Sequence, residues 1–233
     1  MKEELEPPHT VPQFRFHGRT ITDSSDILKA IDVEHDGAYK LYPDEQKAAV
    51  MELEEMAGTT LNMHVFYFCW WVQDGFQRTY RRKILDRFWP MPHVLALPIA
   101  HMTIDMGRMR GSYRKKCRTV LGEELIPAGR EAGPDEEAKV KASLIEIIHG
   151  LEARFVTEDQ LHVCATQNPS AADFALYAML ERLVGNTGDG DMGAGTPWLW
   201  DETNSPRLKA WHTRMAQAHP IVFKGKSAIK AGL

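Results

Sequence analysis

Ser170-Ala171-Ala172-Asp173 restricts the folds open to this chain more than any other segment. Its S-x-x-D spacing lets a serine hydroxyl at a helix N-terminus meet the backbone N–H three residues on, while the acid reaches back. Aspartate is a shorter partner than glutamate at that second position. Leu176, Met179, Leu180 and Leu183 then fall at i, i+3, i+4 and i+7, which predicts an amphipathic helix with its apolar stripe on a core. Ser170 and Asp173 are structural on this reading. Losing either is expected to cost about 0.5–2 kcal/mol and to impair folding, not chemistry.

Everything after Lys40 reads as helices. Pro43-Asp44-Glu45 is a helix start, with proline in the first turn and acids favoured by the macrodipole. Val50, Leu53, Ala57, Leu61, His64, Val65, Phe68 and Val72 continue a stripe of period 3.6, and Gly58 within it predicts a bend. Met102, Met106, Met109, Tyr113, Cys117 and Val120 mark another helix. Val140, Leu144, Ile147, Ile148, Leu151 and Phe155 mark a third, opened by Pro134. A glycine-rich connector, Gly185 to Gly195, precedes a last helix carrying Leu208, Trp211 and Met215 and stopped near Pro220. Ahead of Lys40 the pattern differs. Val11 to Phe16 and Arg19 to Thr22 read as two strands joined at His17-Gly18, and Asp23 or Ser24 caps a helix bearing Ile27, Leu28 and Ile31. The fold class is therefore α+β: residues 1–40 form a small hairpin-and-helix domain, and residues 41–233 an all-helical one.

Composition removes several function classes. A net charge of -4 gives no general attraction to nucleic acid or to an anionic membrane. The basic clusters around Arg78–Arg87 and Arg108–Arg118 read as solvated faces, with a local anion site near the interdomain cleft as the alternative. Leu61 to Val72, the most apolar stretch, is shorter than the ~20 residues that cross a bilayer. Cys69, Cys117 and Cys164 form no CxxC pair, and the chain opens on acidic residues instead of a basic and then apolar leader, so a cytoplasmic setting is expected. Its 10 histidines contain no HExxH and no Cys/His ligand spacing, and no metal site is expected. Gly185 to Asp191 lacks the Lys-Ser/Thr ending of a phosphate loop.

Four segments together resemble the glutathione transferase superfamily. Val11-Pro12 is similar to the Val-Pro that introduces the third strand of its thioredoxin-like domain. Asp23-Ser24-Ser25-Asp26-Ile27 is similar to its Glu/Asp-Ser-x-x-Ile segment. Asn168 to Phe174 resembles its capping-box motif, and Pro206-Arg207-Leu208-Lys209-Ala210-Trp211 its late Pro-x-Leu-x-x-Trp. The resemblance implies a partial thioredoxin-like domain followed by the family's helical domain, glutathione as co-substrate, and a homodimer that transfers the thiol to a small electrophile. It implies that Val11, before a cis Pro12, pairs its backbone with the cysteinyl unit. Ser24 would receive the γ-glutamyl carboxylate and Asp23 the ammonium. The electrophile would sit against the helical domain, where Tyr67, Trp70 and Trp71 could line its pocket; their other reading is core packing. The sequence departs from the family in one respect. The family places a strand, a helix and a strand ahead of Val-Pro, with the thiol-activating Tyr, Ser or Cys near the end of the first strand, and only ten residues precede Val11 here. No catalytic residue is assigned. A non-catalytic binding or scaffold protein of the same fold is the alternative.

Overall fold

The structure is a computed structural model that describes residues 14–34, 39–72, 108–128, 134–157, 159–184, 196 and 198–220. His17 and Gly18 both adopt positive φ, 46° and 75°, which is what a two-residue hairpin turn needs to match the twist of its strands. They join β1 (Phe14–Phe16) to β2 (Arg19–Ile21) in antiparallel register, with Phe16 opposite Arg19 and Phe14 opposite Ile21. Helix α1 (Ser24–Glu34) comes directly after the hairpin.

Helix α2 (Lys47–Met56) starts later than the Pro43-Asp44-Glu45 signal suggests. Pro43 to Gln46 forms a separate turn in which the Gln46 N–H donates to the Pro43 carbonyl at 3.0 Å. Beyond α2 the rod continues as a π turn (Ala57–Leu61), α3 (Asn62–Phe66) and a second π turn (Tyr67–Trp71). Gly58, where a bend is expected, falls inside the first of these widened turns, in which one extra residue rotates the downstream helix by roughly 100° relative to an unbroken α-helix. Ala57, Leu61, Val65 and Phe68 stay buried through both turns.

Helices α4 (Arg108–Leu121), α5 (Pro134–Ala153), α6 (Ala171–Val184), α7 (Leu199–Thr203) and α8 (Pro206–Ala218) complete the described elements. Helix α6 is the hub. Its Leu176, Tyr177, Leu180 and Leu183 are buried, α2 and the first π turn pack on it from one side, and α8 packs on it as well. Val140, Leu144, Ile148 and Leu151 turn one face of α5 inward, and α5 in turn contacts α7 and α8. One stripe position is corrected. Val120 is 46% exposed, because the inward place after Cys117 falls four residues on, at the half-buried Leu121. Periodicity does not signal the short helix α7; five residues are too few to show one. Met102, Met106 and the Gly185–Gly195 connector lie outside the described residues.

Candidate functional site

The N-terminus of α1 is closed by Asp23. Its Oδ1 accepts the N–H groups of Ser25 at 2.9 Å and Asp26 at 3.4 Å, and its carbonyl accepts that of Ile27 at 2.9 Å. Asp23 is therefore the cap and Ser24 the first helical residue. Both are exposed. Among the described residues, Oδ2 of Asp23 and the hydroxyl of Ser24 enter no further hydrogen bond. The helix start thus presents a hydroxyl and a free carboxylate oxygen side by side, a donor for an incoming carboxylate next to a counter-charge for an ammonium. Asp26, one turn in, is engaged with Lys29 at 3.6 Å. Val11 and Pro12 lie outside the described residues.

Of the aromatic trio expected to line a second pocket, the structure describes the side chains of Tyr67 and Trp71. Tyr67 is fully buried, and its hydroxyl donates to Oε1 of Glu136 at 3.2 Å. Oε2 of Glu136 is paired with the guanidinium of Arg114, which also donates to the Pro127 carbonyl at 2.8 Å. Trp71 is half-buried, its ring 4.9 Å from that guanidinium. Tyr67, Glu136, Arg114 and Trp71 form one chain of polar and cation–π contacts linking the second π turn, α4 and α5, with the charges compensated inside it. The side chain of Trp70 lies outside the described residues. A long-range ion pair of this kind leaves no signal in local spacing, and the sequence reading missed it.

Ser170 and Asp173 make the reciprocal box at the start of α6. The Asp173 N–H meets Ser170 Oγ at 3.4 Å, and Oδ2 of Asp173 accepts the Ser170 N–H at 2.8 Å and its hydroxyl at 2.7 Å. Oδ1 accepts the Val163 N–H at 3.0 Å and the Trp211 indole N–H at 2.9 Å. Both side chains are fully buried. Both are sealed in the core and spend their polar atoms on each other, Val163 and Trp211, so the pair organises structure.

None of the perturbed phenols and thiols is prepared to give up a proton. Burial pushes Tyr39 up, helped by the Asp173 charge; it also raises Tyr42, hydrogen-bonded to Glu54, and Tyr67, beside Glu136. The Cys117 thiol is pushed up to about 12 and Cys164 to about 11, in both by burial first. A thiolate nucleophile or a phenol that shares its proton readily needs the opposite shift. No group of three or more His, Cys, Asp or Glu side chains among the described residues could hold a metal ion. No described helix is long and apolar enough to cross a membrane. A cleft of about 520 Å³ lies between the turn before α2 and the segment before α6, lined by Lys40, Pro43, Glu45, Gln46, Ala165 and Asn168 among others.

No family model and no curated protein matches this chain. Among solved structures, the beta-etherase LigF from Sphingobium sp. strain SYK-6 is similar, with a TM-score of 0.52 over 92% of this chain and 76% of that chain, at 18% sequence identity. That likeness is one of fold. The architecture is glutathione transferase-like, a small hairpin-and-helix unit of thioredoxin-like type joined to a helical domain.

Proposed function

We propose that the protein is a glutathione transferase-like protein that holds glutathione at the N-terminus of α1 and directs its thiol to a small electrophile. The observation that carries this reading is the pairing of a Ser24 hydroxyl and an Asp23 oxygen, both uncommitted among the described residues, at a helix start in a chain of this fold. An amino-acid head group has one carboxylate and one ammonium, and these two residues offer one partner to each. The macrodipole favours the carboxylate at the same spot. When bound, glutathione supplies a thiolate that forms a C–S bond as a leaving group departs from the attacked carbon with its electron pair. Val11 and Pro12 are proposed to hold the cysteinyl backbone, with Tyr67, Trp70 and Trp71 toward the electrophile. For Tyr67 the support is confined to packing behind such a pocket, since its ring is enclosed. The name of the similar structure makes a β-ether a sensible first electrophile to try, the leaving group then being an alkoxide or aryloxide that takes up a proton. A cytoplasmic homodimer is proposed on the family resemblance.

Titration calorimetry with glutathione tests the grip, and a chloronitrobenzene assay tests the chemistry. Ser24→Ala should weaken binding roughly 3- to 10-fold, the worth of one hydrogen bond. Asp23→Asn keeps an oxygen for the cap and removes the charge. It should cost more, roughly 10- to 100-fold, as a charged contact does. Wild-type protein that takes up no glutathione at millimolar concentration would end this reading.

The second reading is a non-catalytic binding or scaffold protein of the same fold. Burial raises Tyr39, Tyr42, Tyr67, Cys117 and Cys164, so none of these five is the group that would activate a thiol. This reading expects a defined oligomer in sedimentation, no conjugation, and a role unaltered by Ser24→Ala.

A further inference from the structure

Helix α1 has no fully buried side chain, yet on the proposed reading it must hold Asp23 and Ser24 in a fixed place. Its anchor lies at the other end. Oδ1 of Asp32 accepts the Leu41 N–H at 2.5 Å, and the Asp32 carbonyl accepts from Lys40 Nζ at 3.4 Å. Leu41 passes the link on. Its carbonyl accepts the N–H of Ala171, the first residue of α6, at 3.0 Å, and two residues earlier the Tyr39 hydroxyl donates to the Pro169 carbonyl at 2.6 Å. The side chains of Leu41 and Tyr42 are sunk in the core. The segment 39–42 is thus bonded on one side to α1 and on the other to the capped start of α6.

We infer that Asp32 is a positioning residue that orients the ligand-binding end of α1 against the helical region through Leu41 and Ala171. The inference rests on reading Asp23 and Ser24 as ligand contacts. Ser24 and Asp32 stand eight positions apart in α1, roughly 12 Å along its axis at 1.5 Å per residue, so Asp32 acts through the helix and touches no ligand. A helix held by many buried side chains would not need such a bond. This one packs Leu28 against the core and is otherwise half-exposed, so the Asp32 bond carries a larger share of its placement. Asparagine can supply the same carbonyl oxygen to Leu41, whereas alanine cannot.

The test compares wild type, Asp32→Ala and Asp32→Asn in the full chain, by amide exchange at Leu41, ¹⁵N relaxation across residues 24–34 and calorimetry with glutathione. Asp32→Ala should speed Leu41 exchange and weaken glutathione binding, each roughly 3- to 10-fold, with added motion in α1 and an unchanged helical-domain melt. Asp32→Asn should restore all three. Unchanged Leu41 exchange and α1 relaxation in Asp32→Ala overturn the inference, whatever happens to affinity. A loss that Asn fails to rescue overturns it too. If wild type binds no glutathione, the ligand reading falls by itself, and the exchange and relaxation arms still decide the role of Asp32.

Discussion

The indole Nε1 of Trp211 donates to Oδ1 of Asp173 at 2.9 Å, so the residue that caps α6 also fastens α8 to it. Oδ1 takes a second bond from Val163, in the loop after α5, and Oδ2 takes two from Ser170. One buried carboxylate therefore joins three separated stretches of chain. A buried acceptor shared in this way is costly to remove, because each donor is stranded away from water.

Asp173→Ala is accordingly expected to destabilise the protein by about 3–5 kcal/mol, well beyond the ~0.5–2 kcal/mol of a simple cap lost in Ser170→Ala. Urea unfolding followed by tryptophan fluorescence distinguishes the two. Equal losses in both variants would mean that the Trp211 and Val163 bonds contribute nothing.

The Arg114–Glu136 pair is expected to behave as a buried ion pair. Glu136→Leu and Arg114→Met should each cost about 3–5 kcal/mol by leaving a charge without its partner. The double variant Arg114→Met with Glu136→Leu should recover most of that loss. Denaturation midpoints of the three proteins check the cycle, and additive losses would contradict it.

Acid should loosen the start of α6. His162 stands 3.8 Å from Asp173, and its pKa is lowered first by burial and then by the charges of Arg214 and His219, with Asp173 opposing. His64 is also lowered by burial; its Nδ1 donates to the Thr60 carbonyl at 2.8 Å and its Nε2 accepts from Ser143 at 3.1 Å. A depressed folded pKa means the unfolded chain binds the proton more readily. Stability from both groups is complete above the unfolded value of 6.5 and drains away as pH falls below it toward the folded values. Urea midpoints between about pH 7.5 and about pH 5.5 should fall in wild type, and less steeply in His162→Gln. A parallel decline in that variant would remove His162 from the account.

Cys117 and Cys164 should resist alkylation in the native state at neutral pH, since burial raises both thiols to about 12 and about 11. Iodoacetamide labelling read by mass spectrometry should proceed quickly only after unfolding. Rapid native labelling of Cys164 would show that its half-buried thiol is open to solvent and reagent.

Much of this architecture is legible in the residues themselves. The cap at Ser170-Asp173, the turn at His17-Gly18, the apolar stripes of α5 and α6 and the cap at Asp23 depend on neighbours within a few positions, and local spacing reports such contacts faithfully. Tertiary structure decided the rest. Asp173 reaches Trp211, Tyr67 meets Glu136, and Asp32 bonds Leu41, which is tied to Ala171. The first two partners are dozens of residues apart, and no periodicity encodes which polar atoms will meet once the helices pack. The sequence determined where α1, α5 and α6 begin and which faces of α5 and α6 turn inward, because propensity and burial act residue by residue. Packing determined which buried charges are matched, because an unpaired one is expelled or compensated only after water has gone.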